Sequence, residues 1–212
     1  MKQLTCVLYL LSTSVLALCQ LAQPTQQSTS LSSEPEAMVQ SLYQQVVTRH
    51  PGGLPKPADM KILTPFLSKD LLQRIDLART CEHDWYLQHP DPNVKPEMVW
   101  LESGLFSGQN ERTGPNAFVI ERAESGKDGS IHVYVRLKWW ETTDNNADIR
   151  HATPNRPVIW QVAVIVVREN EHFVVDDVIY LKDKDYDTES RLSALLTKGC
   201  EGSRWVGYRD RR

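Results

Sequence analysis

Two short stretches of the sequence concentrate the side chains that could do chemistry. The first, CEHDWYLQHPD at residues 81–91, combines one thiol with two imidazoles and several carboxylates. Zinc sites need convergent ligands, such as paired cysteines or two histidines four residues apart on one helical face. Here Trp85 stands four residues after Cys81, and neither CxxC nor HExxH occurs in the chain. We therefore predict no metal site, and interpret His83 and His89 as solvated residues near a helix end.

The second stretch is HFVVDDVIYL, which contains the carboxylate pair Asp176 and Asp177. Neighbouring residues of a strand point to opposite faces, so one aspartate would face the interior. A carboxylate whose pKa is raised by apolar surroundings can act as a general base on a small carbonyl compound, with Tyr134 or Tyr180 donating to the oxyanion. The alternative, which we favour, is an aspartate held by backbone amides or by Arg136.

Aromatic side chains on the predicted strands form a third candidate, a binding surface. Alternate strand residues can line a pocket with flat apolar surface. Trp140 adjoins a polar loop and is the preferred contact residue, whereas Trp139 and Trp160 are interpreted as core. No nucleophile elbow, phosphate-binding loop or dinucleotide fingerprint occurs, so we predict no cofactor. The candidate binding residues are Trp140, Tyr134, Arg136, Asp176, Asp177 and Tyr180.

Two helices are predicted ahead of the strands. Ser33 and Glu36 have capping-box spacing before AMVQSLYQQVVTRH, whose apolar residues recur three and four apart until HPGG. A second helix begins after Ser68 and carries Leu71, Leu72, Ile75, Ala78, Cys81 and Trp85 on or near one face.

The apolar period then changes to two, which indicates strands. AFVIERA and SIHVYVRLKWW flank the turn-rich ESGKDG and predict a hairpin, and VIWQVAVIVV and HFVVDDVIYL predict two more strands. The stretch at 141–157 is long for a hairpin connection. Asp187 can cap a last helix over TESRLSALLTKG that stops at Gly199. The predicted fold is α+β: N-terminal helices packed on a curved antiparallel sheet of about four to five strands, plus a C-terminal helix.

The N-terminus has the layout of a secretory signal: Lys2, an apolar run over residues 4–18, and a small-x-small cleavage site at Ala17 and Cys19. The run is shorter than the roughly 20 residues of a spanning helix, so we expect no permanent membrane anchor. Residues 16–19 also resemble a lipoprotein box that would acylate Cys19, although Leu18 departs from it. The predicted organisation is a signal peptide at 1–19 with cleavage between 19 and 22, a flexible leader at 20–33, and a single domain at 34–212.

The net charge limits the classes of partner that we expect, and the number of cysteines indicates the compartment of the protein. The net charge is −3, and the basic residues are dispersed apart from a short C-terminal cluster, so we expect no nucleic-acid partner. Cys81 and Cys200 are the two cysteines outside the signal. In an exported chain, periplasmic or secreted, they are interpreted as one disulfide, worth roughly 4–5 kcal/mol in the chain-entropy model. The alternative is two buried free thiols.

Several segments together resemble a known family. DDVIY, the later RLSALLTKGC and a following Trp, with FLSKDLLQRIDLA and LFSG earlier, are similar to an exported bacterial group, the domain of unknown function 3828. The match covers most of residues 36–205. The resemblance implies the nuclear-transport-factor-like (cystatin-like) cone, a bent sheet wrapping helices, often with a pocket at its wide end. It brings no catalytic residues.

These observations lead to two main functional hypotheses, and a third possibility is a domain that only stabilises a larger envelope assembly. The first is a non-catalytic binding module of the bacterial envelope, for a protein partner or a small ligand. The second is a cone-fold isomerase or lyase with Asp176 or Asp177 as general base. A filled interior with an exposed contact surface is expected for the first, and a buried acid in a roomy pocket beside a donor is expected for the second.

Overall fold

The computed structural model describes part of the chain in detail: residues 33–94, 98, 104–108, 114–140, 157–182 and 189–208. These residues form an α+β fold in which helices accompany a five-stranded antiparallel sheet. The predicted signal peptide, the leader before residue 33 and residues 141–156 of the long connection lie outside the described residues.

The helices largely follow the predicted caps and periodicity. At the first, the backbone N–H of Ser33 donates to Glu36 Oε2 at 2.7 Å, and the helix ends where His50 adopts a left-handed φ of 47°. The second segment of helix was not predicted; it begins at Pro57, whose fixed φ suits a first helical position. The described helical elements are α1 (Glu34–Arg49), α2 (Pro57–Leu63), a 3-10 turn (Thr64–Phe66), α3 (Lys69–Gln88) and α4 (Leu192–Thr197).

Helix α3 confirms the predicted cap and apolar face. The Ser68 hydroxyl accepts a hydrogen bond from the Leu71 N–H at 3.0 Å. Five of the six side chains predicted to lie on or near one face are buried, and the sixth, Leu72, is partly buried. Fully removing a side chain of leucine size from water is worth about 1.5–3 kcal/mol. The buried residues of this face are Leu71, Ile75, Ala78, Cys81 and Trp85.

The four long strands were predicted, and they form one antiparallel sheet in chain order with a short fifth strand at its edge. A separate two-stranded hairpin follows near the end of the chain. The strands are β1 (Ala117–Ser125), β2 (Ile131–Trp139), β3 (Val158–Glu169), β4 (His172–Tyr180), β5 (Ser190–Arg191), β6 (Cys200–Glu201) and β7 (Arg204–Trp205).

The two faces of the sheet differ as the alternation predicts. Val133, Val135 and Leu137 of β2 are fully buried on the inner face, in one core with residues of all four helices. The outer face is defined here by the alternate residues of β1 to β5, among them Tyr134 and Arg136. It has a small buried apolar cluster of its own: Ala163, Ile165 and Ile179.

Each of two strands contains an irregularity next to a carboxylate. The β1–β2 register shifts between Ile120 and Arg122, where Glu121 is inserted. The β3–β4 register shifts between Ile165 and Val166, because Asp176 is inserted between Val175 and Asp177. A bulge re-aims the side chain of the extra residue and increases the local twist. Both acids therefore lie at places where the regular alternation of faces is broken.

The end of the chain corrects the predicted C-terminal helix. Ser190 and Arg191, assigned by sequence to that helix, form β5 and pair with Tyr180 and Ile179. The helical residues are limited to Leu192–Thr197, with Arg191 in the N-cap position, and the predicted cap Asp187 lies outside the described residues. Main-chain pairing with the end of β4 therefore prevails over helix formation at residues 190–191. No helix within the described ranges is long and apolar enough to cross a membrane.

Candidate functional site

Asp176 contacts the beginning of α3. The Ser68 hydroxyl, which caps α3, donates to Asp176 Oδ1 at 2.7 Å, and the Ser68 N–H donates to the Val175 carbonyl at 2.8 Å. Ser68 is itself fully buried. A serine at an N-cap satisfies a helix N–H with its oxygen, and here its proton goes to the carboxylate. Asp176 thus fixes the start of a helix on the sheet.

Asp177 plays a corresponding part at the beginning of α4. Its Oδ1 accepts from the N–H groups of Val178 and Ser193, each at 2.9 Å, and its Oδ2 accepts from the Ser193 hydroxyl at 2.7 Å. The Arg191 guanidinium lies 3.8 Å from Oδ2. The side chain is only 8% exposed. Backbone amides satisfy this aspartate, as we favoured, but the arginine is Arg191 and not the predicted Arg136.

The predicted donor Tyr180 belongs to a different group of contacts inside the sheet. Its hydroxyl donates to the Leu105 carbonyl at 2.5 Å. The Tyr43 hydroxyl donates to the next carbonyl, that of Phe106, at 2.6 Å. The Trp160 indole N–H donates to the third, that of Ser107, at 2.6 Å. Three aromatic donors thus bind three consecutive main-chain carbonyls of one segment.

The segment Gly104–Gly108 occupies the inner core. Leu105 and Phe106 are buried, and the N–H groups of Ser107 and Gly108 both donate to the Gly104 carbonyl at 3.1 Å. Gly108 has a φ of 92°, and a Cβ there would lie 3.0 Å from the Tyr180 ring. Sequence reasoning used LFSG only as part of a family resemblance; its flanking glycines are the signal that a tight buried turn was present.

Burial controls the acidity of the two phenols. It raises the pKa of Tyr43 far above the ordinary value of 10.0. Burial also raises the pKa of Tyr180, and the nearby Tyr43 and Asp177 add to that increase. Removing a phenol from water disfavours its charged form. Both hydroxyls are therefore neutral donors over the ordinary pH range, and their protons are directed at the carbonyls of 104–108.

The outer face brings Arg136 and Tyr134 onto the same surface, but not next to Asp176, Asp177 or Tyr180. Arg136 forms an ion pair with Glu121, whose carboxylate also accepts from the Gln161 side chain. Tyr134 lies two residues before Arg136 on β2, and the guanidinium of Arg122, on β1, lies 3.7 Å from the centroid of its ring. The hydrogen bond from Arg122 holds the pKa of Glu124 below its usual range.

Two exposed aliphatic side chains flank Arg136 on this face. Val119 pairs with Arg136 across β1 and β2 and is 47% exposed. Ile159 pairs with Lys138 across β2 and β3 and is 48% exposed. Trp140 lies at the end of β2, half-buried, with its N–H donating to Asn116 Oδ1 at 2.9 Å. The outer patch is defined by Val119, Tyr134, Arg136, Lys138 and Ile159.

No family model, curated protein or solved structure matches this chain. The resemblance to the domain of unknown function 3828 group and to the nuclear-transport-factor-like cone accordingly stays a prediction.

The cysteine-containing stretch at 81–91 has a structural role in the described contacts. The Sγ atoms of Cys81 and Cys200 are bonded, as predicted, with their Cα atoms 6.1 Å apart, a usual separation for a disulfide. Asp84 Oδ2 accepts from the Trp205 N–H at 2.8 Å. His89 stacks on Trp85 with ring centroids 4.3 Å apart, so it is less solvated than expected. Within the described part of the chain, no three His, Cys, Asp or Glu side chains are grouped to hold a metal ion.

Proposed function

We propose that this chain is an exported, non-catalytic binding domain of the bacterial envelope whose contact surface is the outer face of its sheet. The observation that carries the proposal is the outer patch, where Val119 and Ile159 are each about half exposed on either side of Arg136. Their exposure together on one face of the sheet suits contact with another molecule.

The composition of the outer patch favours a protein partner. Protein interfaces are enriched in aromatic residues and arginine, and they have an apolar centre surrounded by a polar rim. Tyr134 and Arg136 are the aromatic residue and the arginine of the outer patch, and Val119 and Ile159 supply its apolar area. Glu121 already neutralises Arg136, whereas Lys138 adds a positive charge beside Ile159, so the partner surface would be apolar with an acidic group at its rim.

The buried polar groups on both faces of the sheet support the same proposal because the chain itself engages them. Asp176 and Asp177 hold the beginnings of two helices, and the hydroxyls of Tyr43 and Tyr180 bind the segment Gly104–Gly108. We propose a cone-like arrangement in which that segment fills the wide end of a curved sheet. The isomerase alternative would require a substrate to displace these contacts.

Export is the part of the proposal that rests on the termini and the cysteines. A signal-like N-terminus and a disulfide between Cys81 and Cys200 both belong to chains that mature in an oxidising compartment. The proposal places the mature chain in the periplasm or outside the cell, without a requirement for lipid at Cys19.

The binding proposal is tested with matched charge substitutions. Val119→Glu and Ile159→Glu alter the outer patch, and Leu87→Glu alters a side chain that is 67% exposed on α3. The full chain is expressed in a bacterial host, and envelope proteins cross-linked to each variant are quantified by mass spectrometry. We expect one partner to be lost with both patch variants and retained with Leu87→Glu. Equal capture by all three variants, at equal stability, would remove the outer patch from consideration.

A second measurement separates a protein partner from a small ligand. Native mass spectrometry of the mature protein, purified from the periplasm without refolding, reports any retained small molecule as a mass increment. An unmodified mass is expected for a domain that binds through its outer face. A stoichiometric increment that disappears on substitution of Tyr180 or Asp177 would favour the interior site and the isomerase alternative.

A further inference from the structure

The two halves of the disulfide differ in their access to solvent. Cys81 is fully buried on the inner face of α3, whereas Cys200 is half-buried at the beginning of β6. Cys200 also lines an open groove with a volume of about 600 Å³. A molecule that enters the groove can thus meet Cys200 while α3 shields Cys81.

The groove is lined by charged, apolar and aromatic residues. Its lining includes Lys198 at the end of α4, Glu201 beside Cys200, and Val206 and Tyr208 nearer the end of the chain. The Lys198 ammonium group lies 5.1 Å from the centroid of the Tyr208 ring. The volume is within the roughly 300–1,000 Å³ of pockets that accept small molecules. Lys198 attracts a carboxylate of an entering compound, and Glu201 restricts that attraction to the Lys198 side of the groove.

We propose that Cys200 is a thiol–disulfide exchange site for an anionic peptide thiol that enters this groove. The entering thiolate attacks Cys200 Sγ, a new S–S bond forms between them, and the bond from Cys200 to Cys81 breaks. The electron pair of the broken bond leaves with Cys81 Sγ, which takes a proton from water. The thiol is oxidised to a mixed disulfide, and the sulfur of Cys81 is reduced.

The direction of the exchange follows from burial. Attack on Cys81 would need the entering sulfur to pass into the core, whereas attack on Cys200 needs only the groove. The departing Cys81 thiolate forms in apolar surroundings that disfavour charge, so the reaction is slow and readily reversed. The product therefore has the peptide thiol on Cys200 and a protonated thiol on Cys81.

The hairpin that carries Cys200 has further attachments to α3. The Trp205 N–H donates to Asp84 Oδ2 at 2.8 Å, and the Gln88 side chain donates to the Trp205 carbonyl at 3.2 Å. Trp205 is itself buried. These contacts keep Cys200 near Cys81 after the exchange, so Cys81 can later attack the mixed disulfide and restore the original bond.

The test uses the folded, oxidised protein and reduced glutathione as the probe. After acid quenching and alkylation, peptide mass spectrometry locates glutathione and the free thiol. We expect glutathione on Cys200 over Cys81 by more than about ten to one, with alkylation on Cys81. Glutathione on Cys81, or equal amounts on both, would overturn the proposal.

A matched pair of thiols tests the groove itself. Lys198→Glu should slow the reaction with glutathione about threefold or more, and slow the reaction with 2-mercaptoethanol less, because the glutathione thiolate carries carboxylates in addition to the charge on sulfur, whereas the 2-mercaptoethanol thiolate carries the charge on sulfur alone. An equal effect on both thiols would contradict entry past Lys198. A rate that follows global unfolding in urea would also contradict it, since exchange would then need the unfolded chain.

Discussion

The hydroxyl of Ser68 donates a hydrogen bond to the Asp176 carboxylate at 2.7 Å, although 108 positions separate the two residues. The same hydroxyl oxygen accepts from the Leu71 N–H in the first turn of α3. The contact therefore joins the beginning of a helix to the bulge of β4, and Asp177 joins β4 to the beginning of α4. Two adjacent aspartates thus position two helices on one strand.

Conservative substitutions should reveal this structural role. Asp177→Asn loses the Arg191 ion pair and weakens the hydrogen bonds that Asp177 accepts from Ser193, so we expect the free energy of unfolding to fall by about 1–3 kcal/mol. Asp176→Asn affects one hydrogen bond, so it should lower the free energy of unfolding by about 1 kcal/mol. Urea unfolding measures both. Asp76→Asn is the control because that side chain is 73% exposed; we expect it to change stability by less than about 0.5 kcal/mol. Unchanged stability of Asp177→Asn with loss of a catalytic activity would instead support the general-base hypothesis.

The buried phenols predict a fall in stability at alkaline pH. The pKa values of Tyr43 and Tyr180 are raised by burial in the folded state, relative to an ordinary value of 10.0 in the unfolded chain. Above that value the unfolded chain releases protons that the folded chain keeps. Stability is therefore fully present below about pH 10 and declines as pH rises further, by about 1.4 kcal/mol per pH unit for each phenol.

Substitution by phenylalanine isolates this effect. Tyr43→Phe and Tyr180→Phe should each reduce the slope of unfolding free energy between about pH 10 and 11, in addition to losing a hydrogen bond worth about 1 kcal/mol. Urea unfolding across that range gives the slope. Tyr86→Phe, which removes a half-exposed hydroxyl on α3, is the control for loss of a phenol. An unchanged slope in both core variants would mean that these hydroxyls are not buried as described.

The sequence predicted the fold best where the spacing of apolar residues along a strand or helix matches the side chains that are buried. Alternation placed Val133 and Val135 on one face and Tyr134 and Arg136 on the other, and the three-and-four spacing placed Cys81 on the apolar side of α3. These features are local, because each strand or helix has its own repeat. The disulfide was also predicted, because an exported chain favours disulfides and only two cysteines lie outside the predicted signal peptide.

The contacts of the candidate site were less accessible to sequence reasoning because they join distant segments. Nothing near Asp176 indicates Ser68, and nothing near Tyr180 indicates the Leu105 carbonyl. The bulge at Asp176 interrupts the alternation from which its orientation was predicted. Short strands such as Ser190–Arg191 have too few residues to display a period, and only pairing with β4 defines them.

The close approach of Gly108 to Tyr180 gives a matched pair of substitutions. Gly108 and Gly129 have φ values of 92° and 83°, but only at Gly108 would a Cβ meet a neighbour, the Tyr180 ring at 3.0 Å. Alanine at either position should cost roughly 1–2 kcal/mol for its backbone conformation. Gly108→Ala should cost about 1 kcal/mol more because of the contact with the ring. Urea unfolding compares the two, and equal losses would show that the ring is free to move aside.

Reduction should separate the disulfide from the other contacts of the C-terminal hairpin. Cys81 and Cys200 are 119 residues apart, so their bond constrains a long loop of the unfolded chain. Reduced protein should lose at most about 4–5 kcal/mol of unfolding free energy. Asp84 and Gln88 should still hold Trp205, which tryptophan fluorescence at low denaturant would report as little changed.

Substituting Asp84 then tests what holds the hairpin. Asp84→Ala removes the acceptor of the Trp205 N–H, which should cost about 1–3 kcal/mol when that N–H is left unsatisfied. In the reduced protein the same substitution should also release the hairpin locally, because the covalent link is gone, and proteolysis between Cys200 and Trp205 should accelerate. The oxidised variant is the control, since its hairpin stays tethered at Cys200. Equal proteolysis of reduced Asp84→Ala and reduced wild-type protein would mean that packing of Trp205 alone retains the hairpin.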